Sequence, residues 1–520
     1  MKKVMLVPLD DRPCCTVFPA DMGKMVGVEI IQPPSELLGR FMVPGDGVLI
    51  GEWMLQNAEY VDGFIISCDM LAYGGLIASR DVNTSLDDAL DRLQVIKKIR
   101  SIYPNKPVYA QSVLMRISIT SKNKEYTKYW ADIIRYSVLV DKVERMGMSE
   151  LKKEWEEIRS QIPEEILQNY LVARRRNHKI NLEMIKWVKE EIIDFLIITQ
   201  EDCAEFGLHV REQDILIESL YQYKIMERVI IYPGADEGTQ TLLLRMVLKS
   251  KNHKLRLYPI FCHTNGESII STFEDRSIGE TLKGHIYAIG GTVVNDINDA
   301  DIVIMLNTPM DNQVPYVRRQ KGGYVSSRHN LWSFIDKMNY LLKTKDLPVA
   351  VADVCFPNAS DSALIEYMFQ AVELPSLYGY AGWNTTGNTI GTTLSLSGAR
   401  WYLEQYGDEE GLKNFIEFLI GRFLDEWGYQ GNARQDLYHY IQEDLKVSPM
   451  DVEEQYEAAN LKLKELMMPY CERVEQVFQD REILHRKEGY RIGQISIQVD
   501  LPWNRAFECR VEVEVGLWNI

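Results

Sequence analysis

The sequence is poor in the patterns that mark the commonest catalytic chemistries. Its 520 residues include only eight histidines and eight cysteines, and no two cysteines stand in the Cys-x2-Cys spacing of a zinc knuckle or redox pair. There is no Gly-x-Ser-x-Gly elbow, phosphate loop or His-Glu-x-x-His, so serine-hydrolase, nucleotide and zincin readings fall away. The missing disulfide spacing points to a reducing, cytoplasmic setting. Lys and Arg number 58 against 75 Asp and Glu, a formal net charge of −17. That shortage of cations argues against nucleic acid as the main partner, because phosphate binding needs clustered Lys and Arg. No segment approaches the ~18 continuous apolar residues of a membrane span, so no membrane partner is expected. Met1-Lys2-Lys3 and the short apolar run after it imitate a signal peptide, but Asp10-Asp11-Arg12 ends the run short of the roughly seven to fifteen residues an h-region needs.

What is present suits a large α/β enzyme. The hydrophobic fraction of 46% and charged fraction of 26% are those of an ordinary globular protein. Short apolar runs end repeatedly in polar tips. Val4–Pro8 leads to Asp10-Asp11-Arg12, Gly63–Ser67 to Asp69, Phe195–Thr199 to Glu201-Asp202, and Val229–Pro233 to Asp236-Glu237. Leu255–Phe261 leads to Cys262-His263, Ile302–Leu306 to Asn307, Val349–Ala352 to Asp353, and Tyr378–Gly382 to Trp383-Asn384. Parallel α/β folds place active sites at the C-terminal ends of their strands.

The runs alternate with amphipathic stretches at Phe18–Val26, Leu86–Ser101, Gln240–Leu248, Leu331–Leu342, Ser362–Val372 and Leu394–Tyr406. Such alternation implies parallel βα repeats with both sheet faces covered. The favoured architecture is a (β/α)8-like barrel with extra strands, and the alternative is two doubly wound lobes. One α/β catalytic domain is expected over 1–405, with a helical insertion at 118–190. A helical region follows at 406–485, and a β-hairpin tail at 486–520.

Glu201-Asp202 and Asp236-Glu237 are the candidate acid–base groups, since a carboxyl near apolar walls and other carboxyls can donate a proton near neutrality. Both pairs also suit helix N-termini, where acidic side chains are favoured by the dipole. Asp10, Asp11 and Arg12 suit a hydroxyl-rich substrate, or an Asp–Arg turn satisfying itself. Asp69 to Arg80 joins a strand-end acid, the Gly74-Gly75 pair and an arginine, and Arg116 follows the next strand. Arg174-Arg175-Arg176 reads as a solvated helix face, with His178 one turn beyond Arg175. His263 and Asn265 supply hydrogen-bonding tips. Trp383, Asn384 and Asn388 suit sugar recognition, or an Asn-rich turn feeding a helix.

The segments Pro8–Pro13, Asp69–Arg80, Arg175–His178, Gly234–Glu237 and Trp383–Gly391 resemble the hallmark motifs of a bacterial family known by its PLDDRP-type opening and catalogued as a domain of unknown function (DUF4127). The resemblance covers most of 1–405. Cys14-Cys15 departs from it, where a small aliphatic residue and Asn are expected. It implies no activity of its own, so function rests on the site residues.

The expected function is a hydrolase, foremost a glycoside hydrolase acting on a small carbohydrate-like molecule. Glu201, Asp202, Asp236 and Glu237 would be catalytic. Asp10, Asp11, Arg12, Asp69, Arg80, Arg116, His178, His263, Asn265, Trp383, Asn384 and Asn388 would bind substrate, with no metal or cofactor. The alternatives are a metal-dependent amide or ester hydrolase using Asp69, His263 and Asp353, and a non-catalytic sugar-binding protein.

Overall fold

The computed structural model describes residues 2–120, 124–314 and 331–520. The chain divides into two compact units. The first comprises Met1–Thr16, Glu29–Leu243 and Phe273–Ser277, and the second Val17–Val28, Leu244–Thr272 and Ile278–Ile520.

The first unit holds a six-stranded parallel sheet made of β1 (Lys3–Val7), β2 (Glu29–Ile31), β3 (Gly63–Ser67), β4 (Val108–Leu114), β5 (Phe195–Gln200) and β6 (Val229–Pro233). Its order is β2-β1-β3-β4-β5-β6. The chain therefore steps outward once and then reverses across β1, which puts a topological switch between β1 and β3. Open parallel sheets bind ligands outside the strand ends at such a switch. Strands β3, β4 and β5 are buried along their whole length. That is why they read as unbroken apolar runs and not as alternating ones. Phe64, Ile66, Ile96, Trp187 and Leu196 share one core cluster with them.

The expected insertion between β4 and β5 is helical at Trp130–Val140, Lys152–Gln161 and Glu164–Lys189. Its residues 121–123 lie outside the described residues. Ile133, Tyr136, Ile166, Leu167 and Tyr170 form its own apolar cluster.

The second unit holds a five-stranded parallel sheet of β7 (Arg256–Phe261), β8 (Thr292–Val293), β9 (Ile302–Asn307), β10 (Val349–Asp353) and β11 (Gly379–Ala381), in the order β8-β7-β9-β10-β11. The path repeats that of the first sheet. Residues 406–520 cluster with this unit and not as separate bodies. They include an antiparallel sheet of β12 (Glu482–His485), β13 (Glu488–Asp500) and β14 (Arg510–Asn519). The expected tail hairpin is therefore present and gains a third strand. The pairing of β13 with β14 slips between Ile492 and Ile495, and the inward-facing positions shift by one residue with it.

A closed eight-stranded barrel is not seen among the described residues. The parallel strands belong to two sheets, and each of these ends on strands with a single partner: β2 and β6 in one, β8 and β11 in the other. Barrels and open sheets use the same βα repeat. They differ in which distant strands pair, and no local pattern encodes that. No helix of the described residues is long and apolar enough to cross a membrane.

Candidate active site

The polar tips of the first sheet form two ion-paired groups. Arg12 joins the first. Its main-chain N–H donates to Asp10 Oδ1 at 3.1 Å, closing a tight turn after β1. Its guanidinium donates to Asp10 Oδ2 at 2.7 Å and to Asp236 Oδ1 at 2.7 Å, so one cation ties the exit of β1 to the exit of β6. All three residues are buried. Burial pushes the Asp10 carboxyl up, but the charge and hydrogen bonds of Arg12 outweigh it and hold the group below its ordinary value. For Asp236 burial wins, and its carboxyl is raised despite Arg12.

The second group centres on Asp69 and Glu201. Asp69 lies in the first turn of the Cys68–Tyr73 helix directly off β3, and its Oδ2 accepts the Val113 N–H at 2.9 Å. It is 2% exposed. Burial, assisted by the nearby Glu201 charge, raises its carboxyl to about 7. Glu201 follows β5 and is paired with Arg80 on one side and with Arg116, at 3.6 Å, on the other. Arg116 also pairs with Asp202, whose φ of +28° lies in the left-handed region. Ser118 Oγ accepts Arg116 Nε–H at 2.6 Å, and Thr120 Oγ1 accepts from Arg80 at 3.3 Å.

Two arginines missed as site-forming residues hold these loops in place. The Arg174–Arg176 run was expected to be a solvated face. Only Arg175 is exposed, while Arg174 and Arg176 are 2% and 6% exposed. Arg174 donates to both Glu212 oxygens at 2.8 and 2.6 Å and to the main-chain oxygens of Met115 and Arg116 at 3.0 and 2.8 Å. Arg176 donates to the carbonyls of Ser79, Asp81 and Thr84 at 2.5 to 2.8 Å, bracing the turn that presents Arg80. A charge run signals solvent only when nothing distant needs donors. Here exposed-looking guanidiniums satisfy carbonyls that have left the sheet. Arg176→Lys keeps the charge but cannot fork to three carbonyls, and is expected to cost about 1–3 kcal/mol in urea unfolding. An unchanged midpoint would remove this bracing role.

Gln111, fully buried on β4, is another missed residue. Its Nε2 donates to Ala235 O at 2.6 Å and to Thr199 Oγ1 at 3.2 Å, fixing the turn that carries Asp236. Glu237 curls back to accept the Ala235 N–H at 3.0 Å, so its geometry is that of a turn brace. Gly234 has φ +131°, and a Cβ there would meet Glu237 Oε1 at 2.5 Å, which leaves only glycine for this turn. Asp11 and His178 are half-buried. Burial and the Arg174 charge lower His178 to about 4.

The remaining expected residues belong to the second unit. His263 Nε2 lies 3.3 Å from Thr308 Oγ1 and also contacts the Pro309 carbonyl, while Asn265 is exposed. Asp353 accepts from Asn307 Nδ2 at 2.9 Å and from the Asp361 N–H at 2.6 Å. Burial and the neighbouring Asp361 raise its carboxyl. Trp383 donates its indole N–H to Thr392 Oγ1 at 3.3 Å and packs edge-on against Phe18. Asn384 is half-buried at φ +54°, and Asn388 is buried just inside the helix that Thr385 caps.

A comparison with curated proteins found no match. The family model described as "Protein of unknown function (DUF4127)" matches residues 4–512, nearly the whole chain. The chain belongs to the DUF4127 family.

Proposed function

We propose that the protein is a hydrolase that cleaves a small glycoside or similar polyhydroxylated substrate by carboxyl acid–base chemistry at the C-terminal ends of the first sheet's strands. One observation carries the reading. Asp69, buried at a strand end and titrating near neutrality, lies in the field of Glu201, a carboxylate fixed between two guanidinium groups. Glycoside cleavage needs one carboxyl to protonate the leaving oxygen and a second to act as base or nucleophile. Asp69 takes the first role and Glu201 the second, with Asp202 the other carboxylate on Arg116. Arg12, Arg80 and Arg116 are each already paired with carboxylates, which favours a neutral substrate over a phosphorylated one. The cysteines are all free thiols, in keeping with a reducing cytoplasm.

A panel of neutral chromogenic glycosides, screened by product release and by ligand-induced thermal shift, tests the reading. At least one should be turned over, and Glu201→Gln should lower that turnover about 100-fold or more while leaving the circular dichroism spectrum unchanged. Full activity in Glu201→Gln would sink its role. Thermal shifts without product would favour the sugar-binding reading.

A further inference from the structure

The first unit holds a second cluster that the proposed hydrolysis does not use. Cys203, His209 and Asp275 each present one ligand-type atom, and the three atoms lie within 4.8 Å of one another. Cys203 sits in the loop leaving β5, immediately after Glu201 and Asp202. His209 lies in the first turn of the Leu208–Tyr223 helix, and Asp275 comes from the Phe273–Ser277 segment. Cys203 is 2% exposed and His209 1%. Asp275 is half-buried beside them, and polar groups held this far from water cost free energy unless something satisfies them.

Their partners are incomplete in a particular way. His209 Nε2 lies 2.7 Å from the Ala204 carbonyl oxygen, whereas Nδ1, also buried, has no protein partner. Nε2 also lies 3.2 Å from the Ala204 N–H, and an imidazole held on the main chain through one nitrogen leaves the other to ligate a metal. Cys203 Sγ has one weak contact, 3.3 Å to Phe273 O. Asp275 is oriented from behind by Arg276, whose Nε donates to Oδ1 at 2.7 Å and whose Nη2 donates to Oδ2 at 3.0 Å, and Oδ2 also accepts from Gln200 Nε2 at 2.7 Å. Oδ1 keeps a lone pair. The backbone is strained on both sides of the cluster, with Asp202 at φ +28° and Phe273 at φ +69°. Such positions persist where the surroundings over-determine them.

We propose that Cys203, His209 and Asp275 bind a zinc ion with water in the fourth position, clamping the loop that carries Glu201 and Asp202. A thiolate, an imidazole and a carboxylate form a zinc set and are too soft for magnesium or calcium. Ligand atoms around tetrahedral zinc stand about 3.3–3.8 Å apart, so side-chain adjustment suffices to close the site. Binding releases the Cys203 thiol proton to solvent. One thiolate and one carboxylate then neutralise the ion, so Arg276 behind Asp275 faces no net positive charge. The other triple of this kind among the described residues, Cys14, Cys15 and Asp236, offers no imidazole, and the Arg12 that holds Asp236 is shared with Asp10.

The test uses the full-length chain, purified without immobilised metal, stripped with chelator and titrated with Co²⁺ and Zn²⁺. One Co²⁺ per chain should bind with a sulfur-to-cobalt charge-transfer band. Cys203→Ser should lose that band, while Cys262→Ser, a control in the second unit, should retain it. Asp275→Asn should weaken Co²⁺ binding at least ~10-fold. Because Cys203→Ser risks misfolding, wild-type thermal unfolding is also compared with Zn²⁺ and with chelator, and Zn²⁺ should raise the midpoint. A wild-type chain with no charge-transfer band, a band that survives Cys203→Ser, or an unchanged midpoint overturns the site.

Discussion

Asp69→Asn is expected to lower hydrolytic turnover by about 100- to 10,000-fold, the usual worth of a positioned acid, with the fold retained. Asparagine is nearly isosteric, and its oxygen can still accept the Val113 N–H that Asp69 Oδ2 accepts at 2.9 Å. What it cannot do is release a proton. Asp69 titrates at about 7 because burial disfavours its charged form and Glu201 adds to that effect. A general acid must be protonated, so wild-type activity should fall as pH rises through about 7, and that limb should vanish from whatever activity Asp69→Asn retains. Stability gives an independent readout of opposite sign. A carboxyl whose folded value exceeds its unfolded value of about 3.9 contributes stability at low pH and loses it as pH rises through the folded value. Asp69→Asn has no such loss. Relative to wild type it should gain unfolding free energy between pH 5 and pH 8. Turnover within a few-fold of wild type, or a basic limb near 7 that survives the substitution, would remove Asp69 from the reaction.

Much of the fold is legible because burial of both sheet faces leaves a simple mark. Gly63–Ser67, Val229–Pro233 and Phe195–Thr199 read as strands from unbroken apolar runs, and the structure places strands there within a residue. The helix expected from Phe18 begins at Pro13. Proline looks like a turn signal, but at the first helical position its missing N–H costs nothing. The partition into two sheets was less accessible. Pairing of β6 with β5, and of β7 with β8 and β9, is decided by long-range packing, whereas the βα repeat looks the same across the junction.

The site was legible in composition and misread in emphasis. Asp10 and Arg12 do form the self-satisfied turn, and Arg12 also reaches Asp236, 224 positions away. Glu237 looked catalytic beside Asp236, yet its carboxylate accepts from its own turn. Asp69 reads from sequence as a substrate contact, and nothing near it in sequence reveals how deeply the Cys68–Tyr73 helix sinks. Arg174 and Arg176 were hidden by adjacency, since a run of three cations resembles a solvated face until distant carbonyls are placed beside it. Cys203 and His209 are six positions apart, with Asp275 far downstream, a spacing that matches no local ligand pattern.

Arg12→Ala should destabilise the first unit by about 3–5 kcal/mol, because breaking a buried ion pair leaves uncompensated charge in the interior. Here two carboxylates lose one shared partner. Arg12, Asp10 and Asp236 are 8%, 7% and 4% exposed, so solvent cannot take the place of the guanidinium. Arg12→Lys should lie in between, because a point charge cannot reproduce the fork that meets both carboxylates. The triple change Asp10→Asn, Arg12→Met, Asp236→Asn should be less destabilised than Arg12→Ala, since it removes the charges along with their partner. The pH dependence separates this account from simple loss of packing. In wild type the Asp10 carboxyl is held below its ordinary value, so its contribution is present above about 3.9 and is lost as acid protonates it. Without Arg12, burial acts alone on both carboxyls and raises them. The penalty of Arg12→Ala should therefore be smaller at pH 5 than at pH 8, as the orphaned carboxyls take up protons. Urea unfolding at the two pH values measures it. An equal penalty at both would mean that Arg12 acts through packing and not through its charge.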